Sequence, residues 1–382
     1  MDQPGTSKKV LIVSARVGAG HAQAAKAVQE QLRLDAPRVR VDHLDVLELL
    51  SPMFRLYYQS GYSLSMTRFG RLYGLGFRIF NRPNRPGRSL DERLRLRSER
   101  FWLRPFIDLL EREKPDLVVS THFLTPPAIT FAANAGRFDV PQMVVVTDYD
   151  PHRWWYSQGV EKWFIPSEQD RGKLLSWGIR HDDITVTTIP VHPKWTAPMD
   201  RNAILRDWNL PADKPIVVLS GGAEFTCGPV QSIAREILKS PQPCCLVVLA
   251  GRNKQLLGQL ANWPQAREGL LKPVSFTDRA QELVSVASLM VTKPGGVTTA
   301  ECCAVGAPMV LLKPVPGQEE GNARYFSLHG AAIVAQGSGD VAGIVHRLLA
   351  DKAKLEEMSC KAKGLHMPAS KIIAGAIMQR LG

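Results

Sequence analysis

The sequence has no hydrophobic run long enough to cross a membrane as a helix. Such a helix needs about 18 or more mostly apolar residues in succession, and no segment of this chain reaches that length. The first apolar run, Val10–Val13, is very short and follows an acid and a proline. We therefore expect no signal peptide and predict a cytosolic protein.

Cysteine is scarce as well. None of the six cysteines forms a CxxC pair. Most lie in apolar segments, which indicates small core residues in a reducing compartment and not a disulfide framework or a zinc site. The histidines have no metal-ligand spacing, and no nucleophile elbow is present. We expect a site without a metal or a cofactor.

Acidic residues are few, 36 against 48 basic ones, and the net charge is +12. The segment 53–104 holds twelve arginines against three acids and is rich in phenylalanine, tyrosine and tryptophan. Arginine mixed with aromatic residues suits the surface of an anionic membrane, where each basic residue adds about 1 kcal/mol. A nucleic-acid-binding face and a solvated helical surface remain open. The aromatic residues favour lipid.

A chain of 382 residues predicts two domains. Strand-like runs alternate with helical spacing, which indicates an α/β protein with parallel sheets. A proline-rich stretch, residues 184–198, predicts a linker, so the domains should join near residue 197. The strand-like runs are KKVLIVSA, RVRVDHL, PDLVVSTH and PQMVVVTDYD, then KPIVVLSGG, CCLVVLAGRN, KPVSFTD, SLMVTKPGG and PMVLLKP.

The second half contains a glycine-rich break between a strand and a helix, in SLMVTKPGGVTTAECCAVGAP. Glycines let a backbone approach a ligand closely, and free amides at a helix N-terminus bind phosphate oxygens. Thr298 and Thr299 add hydroxyl donors, and Glu301 is placed to accept both hydroxyls of a ribose. A plain strand–turn–helix with a capping threonine is the alternative. Further on, the polar loop PVPGQEEGNA suits sugar hydroxyls or is simply an exposed loop.

Together these stretches resemble a known glycosyltransferase family. TKPGGVTTAE followed by PVPGQEEGNA is similar to the donor-sugar site of the plant monogalactosyldiacylglycerol synthases and the bacterial processive diacylglycerol glucosyltransferases, within glycosyltransferase family 28. The opening SARVGAGHAQAAKAV resembles the family's N-terminal glycine-rich motif. The likeness extends from residue 8 to about residue 330 through VVVTDYDPHRWW, PSEQDRGKLLSWGI, TTIPVHPKW, LAGRNKQLL and VSFTDRAQELVSVASLM.

The resemblance implies the GT-B fold, an α/β architecture of two Rossmann-like domains whose parallel sheets face each other across a cleft. Residues 1–197 would bind the acceptor and dock on the membrane, residues 198–365 would bind the UDP-sugar, and residues 366–382 would form a helix packing back on the first domain. The implied donor-binding residues are Gly295, Gly296, Thr298 and Thr299 for the diphosphate, Glu301 for the ribose, Gln318, Glu319 and Asn322 for the sugar, and Phe276, Arg252 and Asn253 for the uracil. The stretch GGAEF at 221–225 also resembles a glycine-rich loop of the family but departs from it at Ala223 and Glu224.

The loop SARVGAGH in the first half resembles part of a dinucleotide-binding fingerprint. Gly18 and Gly20 fit that fingerprint, but Gln23 replaces its third glycine, although Asp42 could serve as the ribose-binding acid of a dehydrogenase. The family resemblance instead places Gly18, Gly20 and His21 on the acceptor side. A histidine with a pKa near 6.5 accepts a proton at neutral pH, so His21 is the candidate base, with helix capping or packing as its alternative role.

Asp148 and Asp150 form a DxD pattern at the end of a strand. In another glycosyltransferase class this spacing binds a divalent metal. Because the resemblance implies a metal-independent fold, we interpret Asp148 as an acceptor-side base or as the residue that orients His21. His152 matches a histidine in the corresponding segment of the bacterial members and is assigned to the acceptor side.

The resulting hypothesis is an inverting transferase that moves glucose or galactose from a UDP-sugar to diacylglycerol. The enzyme would be cytoplasmic and peripheral on the cytosolic membrane face, held to anionic lipid by segment 53–104, with no nucleic-acid partner. Three alternatives remain: an N-acetylglucosaminyltransferase acting on a polyprenyl diphosphate, a UDP-sugar epimerase, and a non-enzymatic UDP-sugar sensor or membrane scaffold.

Overall fold

A computed structural model describes residues 8–56, 58, 81, 86–222 and 229–382 of the chain. It divides into two compact units. The first contains Met1–Pro193, Val315–Gly321 and Met367–Gly382, and the second contains Lys194–Pro314 and Asn322–His366. Among the described residues, no helix is both long enough and apolar enough to cross a membrane.

The first unit is built on a parallel sheet of six strands in the order β2-β1-β3-β4-β5-β6. Parallel sheets are covered on both faces, and their strands are accordingly continuous apolar runs. The strands are β1 (Lys9–Ser14), β2 (Arg40–Asp45), β3 (Leu117–Ser120), β4 (Gln142–Val145), β5 (Lys162–Ile165) and β6 (Ile184–Val186). The helices are α1 (Gly20–Asp35), α2 (Leu90–Trp102), α3 (Arg104–Glu113), α4 (Pro126–Asn134) and α5 (Glu168–Ser176), with 3-10 turns at Val46–Leu49, Arg153–Trp155 and His181–Asp183.

Strand β1 shows how the sequence pattern produces the core of the first unit. Successive strand residues point to opposite faces. Val10 and Ile12 therefore pack on one face with α1, and Leu11 and Val13 pack on the other with α3 and α4. The helix predicted from His21 onwards is confirmed as α1. Its buried face also contacts a C-terminal helix that belongs to the first unit.

The order of strands reverses at β1, because β2 and β3 pair with opposite edges of this strand. Ligands of open α/β sheets bind at such a switch point, beyond the carboxyl ends of the strands. The loop SARVGAGH leaves β1 at this position, and Thr121 directly follows β3. The fold therefore places the first glycine-rich loop where a ligand site is expected.

The second unit has its own six-stranded parallel sheet, in the order β12-β11-β10-β7-β8-β9. Its strands are β7 (Ile216–Ser220), β8 (Cys245–Gly251), β9 (Leu271–Ser275), β10 (Leu289–Thr292), β11 (Met309–Leu311) and β12 (Ala332–Val334). The helices that follow α5 along the chain are α6 (Arg201–Asp207), α7 (Val230–Ile237), α8 (Lys254–Ala261), α9 (Pro264–Arg267), α10 (Ala280–Ser285), α11 (Gly296–Val305), α12 (Gln318–Leu328), α13 (Ser338–Ala350), α14 (Lys352–Gly364) and α15 (Ala369–Leu381), and α15 lies in the first unit.

The switch point of the second sheet lies between β7 and β10, because the chain proceeds from β7 to β9 and then returns to pair β10 with β7. The glycine-rich break therefore leaves β10 at the switch point and leads into α11. All nine predicted strand-like runs form strands, but β5, β6 and β12 were missed. Strand β6 covers Ile184–Val186, so the prediction of a linker near residues 184–198 is wrong for its first three residues. The chain first passes from the first unit to the second between Pro193 and Lys194.

The prediction that most cysteines are small core residues holds for four of the six positions. Cys244, Cys245, Cys302 and Cys303 are buried free thiols, and burial raises the pKa of each thiol. Cys360 is exposed. Cys227 lies outside the described residues.

A buried ion pair connects α2 with the segment that follows β4. Arg153 has a fully buried side chain, and its Nε donates to Glu92 Oε1 over 2.7 Å. An Arg153 Nη2 hydrogen also bonds to the carbonyl oxygen of Gly87, and the guanidinium carbon lies 3.9 Å from the centre of the Tyr156 ring. Part of the arginine-rich segment is therefore attached to the core through one buried arginine.

The Glu92→Gln variant is expected to lower the free energy of unfolding by about 3 kcal/mol, because it leaves the buried Arg153 without its counter-charge. Glu30→Gln is the control, since Glu30 pairs with Arg33 at the surface over 3.7 Å and exposed pairs contribute at most about 1 kcal/mol. Urea denaturation of both variants measures the difference. Equal and small losses would contradict the structural role of the Arg153–Glu92 pair.

Candidate functional site

His21 lies at the switch point of the first sheet, in the first turn of α1. Its Nδ1 is 2.9 Å from the carbonyl oxygen of Thr121 and 2.8 Å from the hydroxyl oxygen of Thr147. A carbonyl oxygen only accepts hydrogen bonds, so Nδ1 carries the hydrogen and Nε2 keeps the lone pair of the neutral ring. The fold thus selects the tautomer in which Nε2 can accept a proton.

Two opposing effects act on His21. Burial lowers its pKa below the usual value for histidine, and the charge of Asp148 partly offsets this effect. The imidazole is therefore neutral at pH 7 and available as a base. A second contact joins the same two segments, because the Thr121 hydroxyl donates to the backbone carbonyl oxygen of His21 over 2.9 Å.

The two aspartates of the DxD pattern have different surroundings. Asp148 accepts a hydrogen bond from Trp155 Nε1 over 3.2 Å. Burial raises its pKa, while His21 lowers it. Asp150 is exposed, has a positive φ of 60° and forms an ion pair with Lys173. Asp148 therefore acts electrostatically on His21, whereas Asp150 belongs to a surface turn.

The other two histidines of this region are buried among aromatic rings. His122 lies edge-on to His21, with 4.5 Å between ring centres, and its Nδ1 accepts the backbone N–H of Leu124. His152 packs against Phe123 and is 2% exposed. Burial lowers the pKa of His152 to about 3 and that of His122 well below its usual value. Both rings are neutral and form the packed surroundings of His21.

Gly18 and Gly20, the two glycines predicted on the acceptor side, lie between β1 and the start of α1. Gly18 has a φ of +122°, a region that L-residues rarely adopt, and a Cβ at this position would meet no heavy atom within 4 Å. Glycine is therefore required here by the backbone and not by crowding. Gly20 is the first residue of α1, directly before His21.

The glycine-rich loop of the second unit leads directly into α11, with Gly295 as the N-cap and Gly296 as the first helical residue. Its two threonines differ. Thr298 is partly exposed near the N-terminus of the helix. Thr299 is fully buried, and its hydroxyl donates back to the carbonyl oxygens of Gly295 (3.0 Å) and Gly296 (2.9 Å). Of the two hydroxyls, that of Thr299 stabilises the loop itself.

Glu301 follows one turn later in α11 and is half-buried. Burial raises the pKa of its carboxyl to about 8, although Lys194 and a hydrogen bond from Trp195 act in the opposite direction. At pH 7 the carboxyl is therefore mostly protonated. Sequence reasoning missed Trp195 as a partner, because it is more than a hundred residues away and lies in a stretch interpreted as a linker.

The predicted sugar-binding residues divide between the two units. Glu319 belongs to the first unit, where its carboxylate accepts the backbone N–H of Val315 (3.2 Å) and its charge raises the pKa of Asp148. Asn322 belongs to the second unit and is 2% exposed. Its Nδ2 donates to the carbonyl oxygen of Pro294 over 2.9 Å. Asn322 thus joins the start of α12 to the glycine-rich loop, which connects the two motifs of the second half.

The residues predicted near the uracil lie at the ends of β8 and β9. The Arg252 guanidinium lies 4.9 Å from the centre of the Phe276 ring, and this ring is 54% exposed. An exposed aromatic face beside a cation is suited to stacking on a planar base. Asn253 caps α8 instead, since its Oδ1 accepts the backbone N–H of Leu256.

Sequence reasoning also missed Lys293, the residue before the glycine-rich break. Its Cε lies 3.6 Å from the position of a Cβ on Gly222 and 3.8 Å from that of a Cβ on Gly295. The lysine side chain therefore lies between the loops that leave β7 and β10, at the switch point. Its place directly after a buried strand could have identified it. Residues 223–225 of the stretch GGAEF, which include both departures from the family pattern, lie outside the described residues.

Two family models match the chain. The model for monogalactosyldiacylglycerol (MGDG) synthase matches residues 21–191, and the model for the glycosyltransferase family 28 C-terminal domain matches residues 216–372. The first match begins at His21, in the first turn of α1, and the second includes the glycine-rich loop that precedes α11.

Similar proteins agree with these models. A processive diacylglycerol beta-glucosyltransferase of Bacillus subtilis (strain 168) is 30% identical over 98% of this chain and 96% of its own length. One of Bacillus cereus (strain B4264) is 27% identical over 94% and 90%.

Two solved structures share the fold. MurG of Acinetobacter baumannii has a TM-score of 0.60 and 19% sequence identity, with 97% of this chain and 99% of that chain covered. MnaA of S. aureus with UDP has a TM-score of 0.65 and 16% sequence identity, with 98% of this chain and 97% of that chain covered. The α/β architecture with two parallel Rossmann-like sheets is thus confirmed as that of GT-B glycosyltransferases. The chain belongs to glycosyltransferase family 28, in the group of the monogalactosyldiacylglycerol synthases and processive diacylglycerol glucosyltransferases.

Proposed function

We propose that this enzyme transfers a hexose, glucose or galactose, from a UDP-sugar to the hydroxyl of diacylglycerol, with inversion at the anomeric carbon. The relatives that share about 30% of its sequence are named for glucosyl transfer to diacylglycerol. The likeness to MurG and MnaA concerns the fold, so it does not favour their substrates. Transfer would take place on the cytosolic face of the membrane.

The observation that carries the proposal is the tautomer of His21. With Nδ1 bonded to the carbonyl of Thr121, Nε2 presents a lone pair at the switch point of the first sheet. In the proposed reaction, Nε2 takes the proton of the acceptor hydroxyl while that oxygen forms a bond to C1 of the hexose. The bond from C1 to the diphosphate breaks, and UDP leaves with its electron pair. Asp148 stabilises the imidazolium that results.

The departing diphosphate needs stabilisation of its negative charge. The backbone N–H groups at the start of α11 supply partial positive charge, and Gly295 and Gly296 allow the phosphate oxygens to approach them. Thr298 adds a hydroxyl donor, while Thr299 holds the loop in shape. The half-buried Lys293 stands directly before this loop and adds a positive charge there.

Other residues would recognise the remaining parts of the donor. Glu301, once ionised, accepts hydrogen bonds from both ribose hydroxyls. Phe276 and Arg252 stack on the uracil. The hexose would contact Gln318, Glu319 and Asn322, and Asn253 would act by capping the helix beside the uracil.

On the acceptor side, Gly18 and Gly20 would leave room for the lipid hydroxyl beside His21, and His152 would shape the apolar wall. Segment 53–104 would hold the enzyme on an anionic bilayer. Arg68, Arg71 and Arg78 of that segment lie outside the described residues, so this part of the proposal depends on composition and on the described helix α2.

A panel of donors and acceptors tests the function. Purified protein is incubated with UDP-glucose, UDP-galactose or UDP-N-acetylglucosamine, together with vesicles that contain diacylglycerol or a polyprenyl diphosphate. Lipid products are identified by mass, and the recovered UDP-sugar is identified by NMR, because an epimer has the same mass as its substrate. We expect a hexosyl-diacylglycerol from a UDP-hexose. Transfer only to the polyprenyl diphosphate, conversion of the UDP-sugar without an acceptor, or binding without turnover would each contradict the proposal and support one of the three alternatives.

A further inference from the structure

Helices α2, α3 and α4 and the turn after α4 line a partly open pocket of about 280 Å³ in the first unit. Four arginines and five apolar residues line it, and no acidic residue does. The lining consists of Arg97, Arg100, Phe101, Arg104, Ile107, Ala128, Phe131, Ala132 and Arg137. None of these residues has a role in the proposed glycosyl transfer.

The arginines of this pocket lie close together, and acidic side chains neutralise only part of their positive charge. Burial and the positive charge of Arg97 lower the pKa of Arg100. The Arg100 Nε is buried and has no hydrogen-bond partner among the described residues. Arg137 is paired with Asp108 and Glu111. A bound anion would relieve the repulsion between Arg97 and Arg100 and would supply hydrogen-bond acceptors.

The rest of the lining is apolar, which distinguishes this pocket from a site for a free anion. Phe101 is 60% exposed and Phe131 is 47% exposed, although both are large aromatic side chains. The Arg100 guanidinium stacks on the Phe131 ring at 3.6 Å. Charge and apolar surface therefore meet in a single cavity, and this combination matches an anionic headgroup joined to an acyl chain.

An apolar stripe on α2 leads into the pocket. Leu90 (74% exposed) and Leu94 (60% exposed) precede Arg97 and Phe101 at spacings of four, three and four residues, so all four share one face of the helix. An exposed apolar face that ends in a cluster of arginines is the pattern of an interfacial helix on an anionic bilayer. The stripe would lie at the acyl–headgroup boundary and bring the pocket to the level of the phosphates.

From this arrangement we propose that the α2–α3–α4 pocket binds one anionic phospholipid, with the phosphate between Arg97, Arg100 and Arg104 and the upper acyl chain on Phe101 and Phe131. This lipid site rests on the proposed function, in which segment 53–104 docks on an anionic bilayer. It adds a specific binding site for one lipid molecule to the general attraction between positive and negative charge. Its occupant is a structural lipid of the bilayer and not the lipid that is glycosylated.

The test compares two double variants that remove equal charge from the same helices. Arg97→Gln with Arg104→Gln changes the pocket, whereas Arg93→Gln with Arg112→Gln changes two exposed arginines of α2 and α3 outside it. Sedimentation with vesicles of phosphatidylcholine and phosphatidylglycerol measures binding. We expect a loss of about thirtyfold for the pocket variant, from two basic residues, and a much smaller loss for the control. Equal losses would overturn the pocket and leave only diffuse attraction.

A soluble lipid separates the possible ligands. Short-chain phosphatidylglycerol should raise the melting temperature of the wild type but not of the pocket variant, and Phe101→Ser should reduce the shift without changing the charge. An equal shift with inorganic phosphate would contradict a lipid site, and self-association that buries α2 in place of lipid binding would also refute it. These readouts do not depend on turnover. If the protein binds the lipid but transfers no sugar, the proposed function is refuted and the proposed lipid site is still supported.

Discussion

The His21→Asn variant is expected to lower kcat by about 10²–10⁴-fold, the usual contribution of a general base. The asparagine amide can still donate to the carbonyl of Thr121, so the hydrogen bond of Nδ1 is replaced while the basic Nε2 is lost. The affinity for UDP should not change, because the glycine-rich loop and Glu301 lie in the other unit. Steady-state kinetics with UDP-hexose and diacylglycerol, with UDP binding measured separately, checks this prediction.

The pH profile separates a base from a structural histidine. Burial lowers the pKa of His21 below 6.5, so the wild-type rate should be constant near pH 7 and fall only below pH 6.5, as His21 becomes protonated. The variant should lack this acid limb. His329→Asn is the matched control, since its Nδ1 also bonds to a backbone carbonyl, that of Tyr325. If His21→Asn keeps both rate and acid limb, another residue is the base.

Donor affinity should depend on pH through Glu301. Its carboxyl has a pKa of about 8 in the free enzyme, and the ionised form accepts the stronger hydrogen bonds from the ribose. The raised pKa means that ionisation is incomplete at pH 7 and nearly complete at pH 9. The dissociation constant for UDP should therefore fall about tenfold as the pH rises through this window. Calorimetric titration with UDP at pH 7, 8 and 9 measures this change.

The Glu301→Gln variant should remove that dependence. At pH 9 it should bind UDP about 10–100-fold more weakly than the wild type, the cost of losing hydrogen bonds to a charged group, whereas at pH 7 the two proteins should differ much less. Glu268→Gln, an exposed carboxylate of the same unit, should behave as the wild type. A wild-type affinity that is constant from pH 7 to pH 9 would exclude Glu301 as the ribose ligand.

Local sequence patterns were sufficient to predict most of the fold. Strands such as β1 and β7 are continuous apolar runs because both faces of a parallel sheet are covered, and glycines mark the loops at both switch points. The strands missed were short ones. Strand β12 has three residues, and the three residues of β6 open a proline-rich stretch, so both are shorter than the usual strand of about five or six residues.

Side-chain roles at the site were harder to predict because they depend on distant contacts. The tautomer of His21 is selected by contacts of its Nδ1 with Thr121 and Thr147, which are 100 and 126 residues away along the chain. The sequence likewise predicts Thr298 and Thr299 as equivalent hydroxyl donors. In the structure, the Thr299 hydroxyl donates to the carbonyl oxygens of Gly295 and Gly296 instead. The arginine pocket combines three helices, so composition indicated its chemistry but not its location.

The stereochemistry of the lipid product tests the central claim most directly. Wild-type enzyme, α-configured UDP-glucose or UDP-galactose, and diacylglycerol vesicles should yield a hexosyl-diacylglycerol whose anomeric proton coupling in the NMR spectrum identifies a β-linkage, and His21→Asn should yield almost none. Inversion is the outcome of one direct displacement assisted by one base. An α-linked product, or no lipid product from folded protein with either donor, would contradict the account.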